Sequence, residues 1–467
     1  MELLLQKAGE PVEQKGKELK LHDGKLPVWT KIGFGVCDLG GNLFFTMMGF
    51  YLLFFMTDVV GLAAGLAGTA LMIGKIWDAV TDPTVGYLSD RTRTRWGRRR
   101  PYMFVGSFLL MAMMTIMFTA PGYNTQLQLF VWATVIYCLL CTAYTLVNIP
   151  YGALTPELTT DYNERTVINA YRMSFAVVGT LLGAGLVLPI VSAADSVKAG
   201  WTLAGTVMGA LMLVTALVTV FSVREPRHGE APPRQNILKS YAQVLGMKVF
   251  LTCLIPWTLH ITGITIIQGA LLYYFIYYYG NETGFQIALV SLLVSAMIFI
   301  PVWTAISGKI GKKKSYNYGM SILAVAVMIF FLVGHRVPME YSYIIMAIAG
   351  FGFATQYVMP YAIVPDVVEY DYAENGVRRE GVFYGLWTFT SKVGQAFAIA
   401  LSGWTLSLFG YLPDLPQTDL ALLGIRLLCG PIPAIFFIAG VVVLSYYPIT
   451  REKYEEILQK IAFREAK

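Results

Sequence analysis

The chain has 467 residues, of which 56% are hydrophobic and 14% charged, and its mean hydropathy is +0.58. A water-soluble domain does not combine those values, so this is a polytopic membrane protein with no hydrophilic stretch left over for a second domain. The net charge of +6 then reflects basic loops on one side of a bilayer and is no sign of nucleic-acid binding.

Residues 1–30 carry Lys7, Lys15, Lys17, Lys20 and Lys25 and read as a cytoplasmic tail, without the apolar core and cleavage site of a signal peptide. Six apolar runs follow, at about 31–56, 62–88, 102–120, 126–150, 168–193 and 200–222. A polar linker, 223–249, contains Pro226, Pro232 and Pro233 and then an amphipathic stretch, Ile237–Met247. Six more runs occupy about 250–279, 285–308, 316–335, 340–364, 381–408 and 419–447, and a charged tail closes the chain at 448–467. Each run approaches the ~20 residues that cross a bilayer as a helix. Cys37, Cys138, Cys141, Cys253 and Cys429 lie in apolar runs without metal-ligand spacing and read as packing residues.

Lysine and arginine set the expected orientation. The loop after the second run holds Arg91, Arg93, Arg95, Arg98, Arg99 and Arg100; the loop after the eighth holds Lys309, Lys312, Lys313 and Lys314; Arg224, Arg227 and Arg234 mark the linker. On the other side only Lys198 and Arg336 stand out. Both termini are therefore expected in the cytoplasm, in a plasma or inner membrane. Arg91, Arg98, Arg99 and Arg100 read as a cytoplasmic gate rather than a phosphate or nucleic-acid patch. Glu157, Asp161, Glu164, Asp366, Glu369, Asp371 and Glu374 fall on the same side, as partners for the basic loops on closure. Asn281-Glu282-Thr283 fits a glycosylation acceptor, a frequent chance match.

The stretch Gly74–Pro83, Gly-Lys-Ile-Trp-Asp-Ala-Val-Thr-Asp-Pro, lies inside the second apolar run. Each carboxylate there costs ~2.5–3.5 kcal/mol on insertion scales. Helical spacing puts Lys75, Asp78 and Asp82 on one face, and Pro83 leaves the carbonyl of Ala79 without its usual donor. Converging oxygens of this kind suit Na⁺, or a proton on one carboxylate; the bland alternative is a Lys–Asp pair that only ties helices together. Asp38 and Asn42, one turn apart in the first run beside glycines, suit several substrate hydroxyls or else interhelical glue. Arg172 holds Asp38, neutralises the acid pair or touches substrate. Lys392, one turn after Thr388, contacts substrate or bridges to the first half. Trp387 and Tyr384 suit core packing better than ring stacking. No nucleotide-binding glycine loop, catalytic triad or metal-ligand cluster is present, which argues against an enzyme and against any cofactor.

An internal repeat divides the chain. Tyr51…Gly61 echoes Tyr274…Gly284, and Pro150-Tyr151 with Asp161-Tyr162 and Glu164 recurs as Pro360-Tyr361 with Asp371-Tyr372 and Glu374. Pro301 and Ala305 stand opposite Asp78 and Asp82, so the acids belong to one half alone. The expected architecture is an all-α membrane protein of twelve transmembrane helices in two six-helix halves, the major facilitator layout, with substrate held between the halves.

Several motifs together resemble the glycoside–pentoside–hexuronide:cation symporters, whose best-known members are the bacterial melibiose permeases. They are Gly35-Val-Cys-Asp38-Leu-Gly-Gly-Asn42, Thr57-Asp58-Val-Val-Gly61, Trp77-Asp78-Ala79…Asp82-Pro83, Asp90-Arg91…Trp96-Gly97-Arg98, Asn148-Ile-Pro150-Tyr151 and Pro365-Asp366…Glu369-Tyr370. The resemblance implies cation-coupled symport of a sugar or glycoside, with Na⁺ as coupling ion or H⁺ as the alternative, by a monomer surrounded by lipid. It also implies a cation site at Asp78, Asp82, Thr81 and Thr145, and a substrate site at Asp38, Asn42, Asn148, Arg172, Thr388 and Lys392. Melibiose permeases have aspartates at the places of Asn42 and Asn148, a tryptophan at Gly152, an asparagine at Thr81 and an arginine at Lys75. A sugar-type substrate other than melibiose is therefore expected, with a lysolipid carrier or a non-transporting sensor as alternatives.

Overall fold

The computed structural model describes residues 26–159, 161–225, 237–376, 379–413 and 415–465. The expectations for Lys7 to Lys25 and for Pro226, Arg227, Pro232, Pro233 and Arg234 lie outside these residues. In hydrocarbon every backbone polar group must be satisfied within its own segment, which is why apolar runs of this length fold as helices. The long helices are α1 (Val28–Val59), α2 (Ala64–Arg91), α3 (Arg100–Met117), α4 (Gln126–Leu158), α5 (Tyr162–Ser192) and α6 (Val197–Ser222). After the short α7 (Ile237–Leu245) come α8 (Lys248–Tyr279), α9 (Glu282–Ile310), α10 (Lys312–Val333), α11 (Met339–Asn375), α12 (Glu380–Leu408) and α13 (Asp419–Ser445, broken at Gly430). A surface helix, α14 (Arg451–Glu465), follows.

Among the described residues ten helices are long and apolar enough to span a membrane. Two more, α2 and α12, have the length, 28 and 29 residues, but no window apolar enough to be counted with the ten. Those two pack against each other. The helices overrun the apolar stretches of the sequence: α4 continues to Leu158 and α11 to Asn375. Polar residues at these ends leave the hydrocarbon without ending the helix. Thr125, Asp161, Ser196, Asn281 and Thr418 cap helix starts, each side chain accepting from a backbone N–H. Asn281, the glycosylation candidate, thus has a structural role at the start of α9.

The packing repeats. Helix α1 lies on α5, α2 on α4, and α3 on α4 and α6; correspondingly α8 lies on α12, α9 on α11, and α10 on α11 and α13. Between the halves, α2 meets α12, α5 meets α9 and α1 meets α8. These ties gather at the end away from the arginine loop. There α2 and α12 cross at glycines, so a Cβ on Gly403 would sit 2.4 Å from the Ala64 carbonyl oxygen and 2.7 Å from Gly68 Cα.

At the arginine-loop end each half pairs its own charges. Arg98 meets Glu157 at 2.5 Å, and Arg99 meets Glu157 at 3.0 Å and Asp90 at 2.7 Å. Glu225 accepts from the backbone N–H groups of Arg98, Arg99 and Arg100 at 2.7, 3.0 and 2.7 Å, closing the start of α3. Lys31 pairs with Glu164, Lys312 with Asp366 and Arg379 with Asp371. Arg91 lies over the Tyr87 ring at 3.9 Å.

The glycine crossing yields a first prediction. Gly403→Val forces α2 and α12 apart and costs about 1–3 kcal/mol of overpacking, read as a lower unfolding temperature and a longer spin-label distance between the two helices. Wild-type values for both would contradict the crossing.

Candidate functional site

Two polar clusters lie side by side, and α4 contributes to both. The first joins α2, α4 and α12. Asp78 and Asp82, one turn apart on α2, face Thr145 of α4, whose Oγ1 is 3.1 Å from Asp78 Oδ1 and 3.0 Å from Asp82 Oδ1. Lys392 of α12 places its ammonium 2.8 Å from Asp78 and 2.5 Å from Asp82. Lys75 adds a second ammonium, 3.4 Å from Asp78. Asp78 and Lys75 are buried, with relative exposures of 2% and 5%. Two acids and two bases leave the cluster neutral, and each carboxylate has charge-assisted partners.

Thr81 does not join this set: its hydroxyl donates to the carbonyl of Asp78 at 3.2 Å. Thr388 is exposed, one turn before Lys392 on α12. Of the residues expected at the substrate site, Lys392 sits among the acids.

The second cluster joins α1, α4 and α5. Asp38 is held by Arg172 at 2.6 Å and by the Tyr151 hydroxyl at 2.6 Å, while Arg172 donates to Thr155 at 3.0 Å. Asn42 turns its amide onto the Asp38 carbonyl at 2.8 Å. Asp38, Asn42, Tyr144, Asn148 and Tyr151 line a small cavity of about 60 Å³. The Tyr144 hydroxyl is buried and has no partner among the described residues, an unusual condition for a buried polar atom. Gly152 leaves open space where a Cβ would be.

The clusters touch through aromatic rings. Tyr144 stacks on Phe44 at 4.1 Å and meets Phe45 edge-on at 5.5 Å. The Lys75 ammonium lies 5.8 Å from the Phe45 ring centroid. Trp387 packs in the core, stacked on Trp257 at 4.8 Å.

Sequence reasoning gave no role to Tyr144, Tyr151 and Thr155, although they recur with Asn148 at helical spacing on α4. It also passed over Asp58, near the end of α1. Its Oδ2 accepts from Thr57 at 2.5 Å, and its Oδ1 accepts from the hydroxyls of Tyr277 and, at 2.6 Å, Tyr411. The two tyrosine hydroxyls are 2.9 Å apart, and Tyr273 reaches Thr57 at 2.7 Å. A carboxylate of one half is thus wrapped in hydroxyls of the other. The available signal was an acid in an apolar run and the tyrosine-rich segment Tyr273–Tyr279.

Helical spans of this number, packed as a repeat around buried charge, are those of a multi-pass membrane protein. The chain belongs to the MFS/sugar transport protein family, whose model matches residues 33–451. It is 29% identical to a glucuronide carrier protein homolog of Escherichia coli, over 92% of this chain and 95% of the relative. It is 28% identical to a sodium-dependent lysophosphatidylcholine symporter of Danio rerio, over 92% of this chain and 87% of the relative. A solved bacterial homologue of the human drug peptide transporters PepT1 and PepT2 shares the fold, with a TM-score of 0.65, 14% identity, and 91% and 99% of the two chains covered. The chain is a transporter, not an enzyme.

The Asp58 cluster generates a second prediction. Asp58→Asn and Tyr411→Phe each weaken charge-assisted hydrogen bonds worth about 1.5–3 kcal/mol. Labelling of a cysteine at Gln268, on α8 behind the cluster, should rise about tenfold or more when the reagent enters from that end. Unchanged labelling in both variants would remove the cluster's role in closing it.

Proposed function

We propose that the protein is a symporter that couples a monovalent cation, Na⁺, to uptake of a sugar or glycoside, with the arginine-loop end facing the cytoplasm. The observation that carries this reading is the Lys392 ammonium seated between Asp78, Asp82 and the hydroxyl of Thr145. Oxygens from two helices converge on one monovalent positive charge, and that charge belongs to a helix of the opposite half. Sodium entering between the same oxygens displaces Lys392, because a second full charge there meets the ammonium at close range. Its release loosens α12 from α2, so ion occupancy and the relation of the two halves change together. A proton needs only one carboxylate, whereas Na⁺ calls on both acids and the threonine at once.

Substrate binds at the second cluster. Asp38 and Asn148 with the unpartnered Tyr144 hydroxyl supply donors and acceptors matched to sugar hydroxyls. The cavity of about 60 Å³ is well below the ~300–1,000 Å³ of ligand pockets, so substrate occupies a more open arrangement of α1 and α4. The lysophosphatidylcholine relative and the amides at Asn42 and Asn148 favour a second reading, a lysolipid cargo.

Proteoliposome uptake separates these readings. Asp82→Asn should abolish Na⁺-driven accumulation while leaving exchange of bound substrate, and gradient-driven uptake at the wild-type level would sink the assignment.

Substrate affinity at fixed pH should tighten about 5- to 150-fold with Na⁺, the usual range of coupling between sites, and Thr145→Ala should shrink that response. An affinity indifferent to Na⁺ that falls as pH rises would make the proton the coupling ion. Uptake of lysolipid with no response to any glycoside would replace the sugar.

A further inference from the structure

The loop between α2 and α3 turns its arginines two ways. Arg98 and Arg99 point inward to Glu157 and Asp90, and Arg100 donates to the Val220 carbonyl at 2.6 Å. Arg93 and Arg95 point outward: both are exposed, and neither has an ion pair, hydrogen bond or ring contact among the described residues. A tight turn sets this division. Gly97 adopts a φ of 106°, its N–H donates to the Thr94 carbonyl at 3.2 Å, and the Thr94 hydroxyl donates to the Gly97 carbonyl at 2.6 Å.

Between the outward arginines and the helices stands Trp96, 49% exposed. Its ring meets Phe104 of α3 edge-on at 5.5 Å, and Phe104 in turn meets Phe108 at 5.2 Å and Phe221 of α6 at 6.4 Å. Phe108 and Phe221 are 49% and 63% exposed, on faces that α3 and α6 present to the surroundings. An aromatic strip therefore runs from a pair of uncompensated guanidiniums down the side of the bundle. Tryptophan at such a boundary is at home at the level of lipid headgroups. In the corresponding loop of the second half Lys312 is taken up by Asp366 and Lys313 by the carbonyls of Ser445 and Tyr447, while Lys309 and Lys314 are exposed.

We propose that Arg93, Arg95 and Trp96, with the adjoining faces of α3 and α6, form a binding site for an anionic phospholipid of the leaflet on that side. The guanidiniums take the headgroup phosphate in charge-assisted hydrogen bonds. Trp96 lies at the glycerol level, and the acyl chains follow Phe108 and Phe221. Charge selects the occupant, since a zwitterionic headgroup brings its own cation beside two arginines that lack an anion. Each arginine near an anionic surface contributes about fivefold in binding, so the pair contributes an order of magnitude or more. This site is independent of the transported substrate and of the coupling ion.

The test is native mass spectrometry of the full-length purified protein titrated with phosphatidylglycerol or phosphatidylcholine. Wild type should retain phosphatidylglycerol about tenfold or more in preference to phosphatidylcholine. Arg93→Gln with Arg95→Gln should erase that preference, while Lys198→Gln with Arg336→Gln, the same charge change at the opposite end, should keep it. Trp96→Ala, a second variant that leaves both arginines, should weaken retention of both lipids. Inorganic phosphate at millimolar concentration should not compete, since it lacks the chains. Equal retention of the two lipids by wild type, a preference that survives the double arginine variant, an equal loss in the control pair, or full competition by free phosphate would each overturn the proposal.

Discussion

One ammonium between two carboxylates holds the centre of this molecule. Lys392 reaches Asp82 across 310 residues of sequence, and with Asp78 and Thr145 it ties the helix α12 to α2 and α4. Burying a lone charge in hydrocarbon costs several kcal/mol, and removing one partner of a buried pair costs about 3–5 kcal/mol. The cluster avoids that by containing as many bases as acids. Under the proposed function the same condition makes it responsive, because one more cation requires one of the bases to leave. Lys75 sits on the same helix as the acids, three residues from Asp78, and travels with them. Lys392 is carried by the other half, so under the proposed function it is the base that moves.

The two halves share a packing scheme but divide the chemistry. The acids, the threonine and the Asp38–Arg172 pair come from α1 to α5. The second half supplies partners for that chemistry: Lys392 at the cluster, and Tyr277 and Tyr411 around Asp58. Proline and alanine at 301 and 305, where symmetry would repeat the acids, keep the mirror position apolar. A duplicated cluster would leave a second set of charges to be neutralised on every cycle.

How far the sequence could be read follows from the range of the interactions. Asp78, Asp82 and Lys75 were legible because i, i+3 and i+4 spacing fixes their common face without any tertiary information. Thr145 came from resemblance, and the structure places its hydroxyl between the two acids. Arg172 and Lys392 were left open between substrate and salt bridge, because nothing local says which of several distant acids a cation will meet; both are paired here. Thr81 shows the opposite limit. It lies in the right turn of the right helix, yet its hydroxyl finds the backbone carbonyl three residues earlier, a local bond that competes with any ligand. The arginine loop reads from sequence as one basic patch, and only the turn at Gly97 separates its inward from its outward members.

The Asp58 and Lys392 contacts bind the halves at different depths, and their energetics differ in kind. The outer contact is a carboxylate with neutral hydroxyl donors beside a close glycine crossing, so it depends on geometry and exchanges readily for water once the helices part. The inner contact is an ion pair in a buried setting, where water is scarce and separation is costly unless another cation takes the vacated place. Under the proposed function a cation arriving at Asp78 and Asp82 lowers the cost of separating α12 from α2, the step that pairing with Lys392 otherwise resists. On that proposal ion occupancy acts on the more expensive of the two contacts, and the cheaper one follows.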